Sequence, residues 1–224
     1  MILLRPLAML LISVFPILAG DVVGHAVITK RLTKKALSPV VYNLRGTALP
    51  AAPASEPVNE FDRMVVILEG GSLPSKPPIT AVLNQRNGRF EPEIAIVPVG
   101  SAIDFPNFDP IFHNVFSLSK TQPFDLGFYP KGQSRSVKFN HPGIVQVYCH
   151  IHANMYAAIV VTSSPWYGRP SADGSFSWND VPAGHYRLSA WHKIAGLYKT
   201  EIDVPESGRV DVAIQVPVDV EPRP

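Results

Sequence analysis

Apolar and polar positions alternate most cleanly over Arg209-Val210-Asp211-Val212-Ala213-Ile214-Gln215-Val216, where Val210, Val212, Ile214 and Val216 share one face. A period of two sets successive side chains on opposite sides of a pleated chain, so this segment predicts a half-buried β-strand. Shorter β-branched and aromatic runs, bounded by Pro, Gly and Asn, predict further strands near 21–29, 40–44, 63–69, 93–98, 111–118, 133–139, 143–149, 155–162, 174–178, 185–191 and 199–204. No helical period lasts beyond a turn or two. The 23 prolines leave no proline-free stretch longer than 22 residues, which excludes a bundle of long helices. The pattern therefore predicts an all-β protein whose short, closely spaced strands form β-sandwiches.

The N-terminus departs from this pattern. Arg5 precedes an apolar run from Pro6 to Leu18, and the small residues Ala19 and Gly20 follow before Asp21. This is the layout of a secretory signal over residues 1–20. The run is too short to span a bilayer comfortably and Pro16 interrupts it, so no membrane span is expected after signal removal. The exported chain is expected to be periplasmic or otherwise secreted. An Ala/Pro stretch at 48–57 and the break Ser163-Ser164-Pro165 divide the remainder. They leave N-terminal strands and a linker at 21–61, a middle block at 62–163 of a size natural for one sandwich, and a tail at 164–224 that is small for a lone domain.

Composition narrows the chemistry. Hydrophobic residues make up 46% and charged residues 17%, as in a globular chain able to bury a core. Lys and Arg exceed Asp and Glu by only 20 to 18, too little for the basic surface that nucleic acid or anionic lipid demands. The single cysteine, Cys149, excludes an intramolecular disulfide. In an oxidising compartment it is a free thiol, an intermolecular bridge or a metal ligand.

Its surroundings favour the metal. The segment Val147-Tyr148-Cys149-His150-Ile151-His152-Ala153-Asn154-Met155 contains Cys-x-x-His-x-x-Met at the end of a strand. Thiolate and thioether together select copper, and zinc would not need the methionine. A blue-copper site needs a second histidine, and His113 is the candidate, flanked by apolar residues in Ile111-Phe112-His113-Asn114-Val115-Phe116. Taken singly, Cys149 reads better as a small buried hydrophobe than as a ligand, and Met155 reads equally well as core packing. Only the joint spacing with His152 and His113-Asn114 reverses that.

At these residues the block 62–163 resembles the cupredoxins, the small blue copper proteins. In that family the first histidine is typically followed by Asn, as in His113-Asn114, and an aromatic residue commonly precedes the cysteine, as Tyr148 does. The Cys149-x-x-His152-x-x-Met155 spacing is most similar to the short ligand loop of amicyanin; plastocyanin has a longer gap. The resemblance implies one type 1 copper per chain, with His113 and His152 as imidazole ligands, Cys149 as thiolate and Met155 as a long axial ligand. It also implies that Asn114 stiffens the site, its N–H donating to the Cys149 sulfur and its side chain tying the two ligand loops together. His150 directly after the cysteine resembles the multicopper oxidases, but those also carry a histidine before it, where this chain has Tyr148. His150 is expected to face solvent or to lie beside the site. His25, His141, His185 and His192 have no partners at ligand spacing and are expected to be structural.

The tail carries Gly174-Ser175-Phe176 and Pro182-Ala183-Gly184-His185-Tyr186. It resembles the carboxypeptidase regulatory-like, or transthyretin-like, β-sandwich, a family with a structural rather than catalytic role. Its four predicted strands are too few for a whole sandwich, and Val23-Gly24-His25-Ala26-Val27-Ile28 is similar to that family's opening strand. Residues 21–47 are thus expected to complete the C-terminal sandwich, with extension of the middle block's sheet as the other possibility. Function follows as an expectation: a non-enzymatic carrier of single electrons, docking a cytochrome or dehydrogenase through the edge of His152 near Ala153, Asn154, Pro106 and Phe108. The alternatives are a copper carrier or store and an adhesive β-protein. Nothing in the residues specifies a methylamine dehydrogenase as partner.

Overall fold

The computed structural model describes residues 18–29, 59–70, 75–152 and 155–216. In chain order the strands are β1 (Ala19–Ile28), β2 (Met64–Glu69), β3 (Thr80–Val82), β4 (Asn84–Arg86), β5 (Arg89–Glu91), β6 (Ile94–Pro98), β7 (Ser101–Pro106), β8 (His113–Ser117) and β9 (Phe124–Tyr129). They continue as β10 (Ser134–Phe139), β11 (Gly143–Tyr148), β12 (Tyr156–Thr162), β13 (Tyr167–Gly168), β14 (Ser175–Pro182), β15 (Gly184–His192), β16 (Gly196–Val204) and β17 (Arg209–Val216). A single 3-10 turn, Glu60–Arg63, precedes β2. The expectation of an all-β chain holds, and no helix among the described residues is long and apolar enough to cross a membrane.

Four sheets stack in order because several strands are apolar on both faces. The five-stranded sheet β6-β12-β11-β8-β9 faces the three-stranded sheet β10-β7-β3 across a core that includes Leu83, Phe105, Tyr129, Val147 and Ile159. The four-stranded sheet β13-β2-β15-β16 faces β14-β1-β17 across a second core of Val22, Met64, Leu68, Leu188 and Ile214. The two sandwiches then meet back to back. Along β12, Ala157, Ile159 and Val161 enter the first core, while Ala158 and Val160 turn outward onto Val65, Ile67 and Trp191. Along β2, Met64, Val66 and Leu68 enter the second core while Val65 and Ile67 meet that outward face. Such runs read as continuously hydrophobic because neither face of the strand sees water.

Strand pairing corrects one boundary. Met64–Glu69, grouped with the middle block from its position in the chain, pairs antiparallel with β15 from His192↔Met64 to Arg187↔Glu69. A doubly buried run identifies an inner layer without saying which neighbour pairs with it. β1 lies between β14, antiparallel, and β17, parallel, so N-terminal and C-terminal strands share one sheet. It pairs with no strand of the middle block among the described residues, and the strand expected at 40–44 lies outside them. Ser101–Pro106 and Phe124–Tyr129 were not expected as strands, since Ala102, Asp104 and Pro106 in the one and Asp125 and Gly127 in the other obscure the period.

The tail motif has a physical basis here. Tyr186 is buried and its hydroxyl donates to the Pro182 carbonyl at 2.8 Å, closing the Pro-Ala-Gly turn between β14 and β15. Phe176 fills the second core beside it.

Candidate metal centre

The centre is built on the ends of strands. β11 and β12 pair through Tyr148↔Tyr156, so residues 149–155 form the loop between them, with Cys149 as its first residue and Met155 as its last. The loop closes tightly, the Met155 N–H donating to the His152 carbonyl at 3.0 Å. Cys149 and Met155 are both buried and belong to the first core. Alternation continues past β11: Val145, Val147 and Cys149 face inward, while the Tyr148 ring lies outside with Phe116 and Tyr156 and its hydroxyl donates to Gln146.

His113 enters from β8, fully buried. Its Nδ1 lies 3.1 Å from Nδ1 of His152 and 3.9 Å from Cys149 Sγ, and His152 Nδ1 lies 3.7 Å from the same sulfur. These three side chains are the one group of three or more His, Cys, Asp or Glu among the described residues able to hold a metal ion. Ligand bonds of about 2.0–2.1 Å to nitrogen and 2.3 Å to sulfur place donors about 3.4–3.8 Å apart around one ion. The three separations fall within a few tenths of an ångström of that range. A soft sulfur with two imidazoles suits copper. Two nitrogen lone pairs facing each other so closely are at rest only with a cation or proton between them.

The tautomer of His113 follows from its other nitrogen. Nε2 lies 2.8 Å from Asp109 Oδ2, and a carboxylate only accepts, so Nε2 carries the hydrogen and Nδ1 keeps its lone pair for a metal. Asp109 is itself held by the turn between β4 and β5: the N–H of Asn87 donates to Oδ1 at 2.6 Å and that of Gly88 to Oδ2 at 2.8 Å. Burial alone would raise the Asp109 carboxyl. The Gly88 N–H, the His113 imidazole and the Asn87 N–H outweigh it and hold the group below the usual carboxylate value. Asn107 fixes the intervening loop, accepting from the Asp109 N–H at 2.9 Å and donating to the carbonyls of Ile111 and Tyr129. The sequence held two clues to Asp109: its place four residues before His113, and the Asn87-Gly88 hairpin turn whose N–H groups it receives.

Asn114 differs from expectation. It is buried beside His113, yet its Nδ2 donates to Asp125 Oδ1 on β9 at 2.6 Å rather than to the Cys149 loop, and its Oδ1 has no hydrogen-bond partner. His150 is exposed, as expected, but engaged: its ring stacks on Phe116 with centroids 3.8 Å apart and planes 6° from parallel, and Nε2 lies 3.5 Å from Asp125 Oδ2. The Gly127 N–H, then Asn114 and His150, hold the Asp125 carboxyl below its ordinary value. His152 is half-buried; Ile151 before it, and Phe108, Ile111 and Phe112 on the segment that leads into His113, are exposed apolar side chains. Ala153 and Asn154, expected to frame His152, lie outside the described residues.

The remaining histidines sit away from the cluster. His25, His141 and His185 are exposed. His192 is wholly buried in the second sandwich, its Nδ1 accepting from the N–H groups of Ile194 and Ala195 at 3.2 and 3.1 Å. Burial, opposed by Glu60, lowers its pKa. The unfolded chain thus takes up a proton that the folded chain refuses. His192 costs nothing above about pH 6.5, and below it the fold loses up to about 1.4 kcal/mol per pH unit until the folded group titrates. Melting of the metal-free protein from pH 7.5 to 5.5 should therefore show a shallower decline in His192→Asn, whose amide oxygen can still accept those N–H groups. An unchanged slope would contradict this account.

No family model and no curated protein matches the chain. Among solved structures, part of it is similar to a variant of amicyanin in the reduced Cu(I) form at pH 4, with 22% identity and a TM-score of 0.36 over 37% of this chain and 82% of that one. A purple cupredoxin from Nitrosopumilus maritimus is similar at 21% identity and a TM-score of 0.34, over 37% of this chain and 99% of that one.

Proposed function

We propose that the protein is an exported type 1 copper protein that carries single electrons between partner proteins. One observation carries this reading: His113 Nδ1, His152 Nδ1 and Cys149 Sγ converge to within 3.1–3.9 Å, with the other nitrogen of His113 committed to an ionised carboxylate. His113, Cys149 and His152 would hold the ion, with Met155 completing the set from the base of the same loop. Copper bound there would supply a one-electron couple. The chain's part is to hold the donors in a shape that changes little between the two oxidation states. Burial of His113 and Cys149 keeps water out, and packing of the loop ends into the first core resists rearrangement.

Half-buried His152 gives the centre its contact with the surface. The exposed apolar side chains Phe108, Ile111, Phe112 and Ile151, on the segments that carry His113 and His152, would offer apolar surface for brief docking, which suits a small interface that forms and dissociates quickly. Export rests on the signal-like run that precedes β1, which up to residue 17 lies outside the described residues; Ala19 and Gly20, expected at the end of that signal, instead open β1 opposite Pro182 and Val181.

The test is visible absorption and electron paramagnetic resonance of the purified, copper-loaded protein. One equivalent of Cu(II) per chain is expected to give an intense thiolate-to-copper band that bleaches and returns on one-electron reduction and reoxidation. A colourless protein, or one with only a weak normal-copper spectrum, would overturn the reading.

A further inference from the structure

The two strands that deliver the candidate ligands are joined by little ladder. β11 and β12 pair from Gly143↔Val161 through Tyr148↔Tyr156, whereas β8 and β11 share the single pair Phe116↔Tyr148. His113 lies three residues before that pair and Cys149 one residue after it, so the ladder alone does not set the distance between them.

One carboxylate spans the gap. Asp125 Oδ1 accepts from Asn114 Nδ2 at 2.6 Å and from the Gly127 N–H at 2.8 Å, while Oδ2 lies 3.5 Å from His150 Nε2. Asn114 directly follows His113 and His150 directly follows Cys149. The stack of His150 on Phe116 closes the loop, since Phe116 shares β8 with His113 and Asn114.

We propose that Asp125 is a positioning residue: by clasping Asn114 and His150 together it sets the spacing of His113 against Cys149, and through it the hold of the site on its metal. The proposal rests on the metal-centre reading above. Asp125 is 57% exposed in its side chain, so its charge is well screened and a simple ion pair there would contribute little. Its leverage is geometric. Asn114 is buried with its amide oxygen unpartnered, so the bond to Asp125 is what fixes that side chain. Direct hydrogen-bond partners of a ligand typically contribute roughly tenfold to a hundredfold in metal affinity, and Asp125, one residue removed from both His113 and Cys149, is expected at the lower end of that range.

The test compares wild type, Asp125→Ala and Asp125→Asn. Asparagine keeps an acceptor for Asn114 and Gly127 and offers its amide hydrogen to the His150 ring. Copper release to a chelator should be roughly tenfold faster in the alanine variant, with an altered paramagnetic spectrum, and close to wild type in the asparagine variant. In metal-free protein, amide exchange should accelerate in the alanine variant at residues 113–116 and 148–152 and stay unchanged in β15 and β16. Wild-type release and exchange in Asp125→Ala, or equal damage from Asp125→Asn, would overturn the clasp, the latter because charge rather than geometry would then be at work. Absence of the thiolate band in wild type would remove the metal-centre reading instead, and the exchange comparison would still decide the clasp.

Discussion

Replacing Cys149 by serine is expected to abolish the intense visible band of the copper-loaded protein and to leave the metal-free fold nearly intact. The sulfur is the only soft donor among the three facing atoms and, as thiolate, the only anionic one. A serine hydroxyl stays protonated near neutrality and is a hard, weak donor, so two neutral imidazoles would remain. Copper affinity should fall by more than the roughly tenfold to hundredfold that loss of an outer hydrogen-bond partner costs. The fold has less at stake. Cys149 is a small side chain at the edge of the first core and serine is close to it in size, so the metal-free variant should lose no more than the roughly 1–3 kcal/mol of a buried hydroxyl left without a partner. Titration with Cu(II), followed by absorption beside thermal melts of both metal-free proteins, separates the two effects. A band that survives in Cys149→Ser would place the chromophore elsewhere and dismiss this site.

The candidate site was legible where its chemistry is local and obscure where it is assembled from a distance. Cys149, His152 and Met155 share one loop, and a spacing that short is visible in any sequence. His113 was found only because a copper thiolate calls for a second imidazole. Asp109 and Asp125 stayed hidden, since neither is special until the fold brings it to a ligand or to a ligand's neighbour. Asn114 shows the opposite hazard: its residue type matched the family resemblance, yet β9 places Asp125 between it and the Cys149 loop, so the amide reaches that loop through Asp125 and His150 and not directly. At the level of the fold, β17 was readable because one face is wet and the other dry. β2 and β12 were readable as strands but not as interfaces, because a run buried on both sides carries no mark of which sheet it joins.

That shared inner layer makes Trp191→Ala the most consequential change away from the metal. Trp191 pairs with Val65 and Leu197 in its own sheet and packs against Val65, Ile67, Ile94, Ala158 and Val160 between the sandwiches. Truncating a buried tryptophan typically costs about 3–5 kcal/mol, the transfer of its large apolar surface plus the cavity left behind. This one already borders a cleft of about 520 Å³, so water gains a way in. What remains across the interface is the smaller aliphatic contact of Val65 and Ile67 with Ile94, Ala158 and Val160, helped by two polar contacts, Lys193 to Glu93 at 2.8 Å and the Arg169 guanidinium to the Ile94 carbonyl at 2.6 Å. The polar contacts position surfaces more than they bind them. The two sandwiches, expected to melt together in wild type, should then melt separately in the variant. The chain supplies its own reporters, for with Trp191 gone the two remaining tryptophans, Trp166 and Trp178, both pack against the second core, while the copper band reports the first. Loss of fluorescence signal and loss of the band should diverge in temperature. Coincident transitions in Trp191→Ala would mean that β2 and β12 couple the sandwiches without it, and that the metal loop at the end of β12 takes its rigidity from the first core alone.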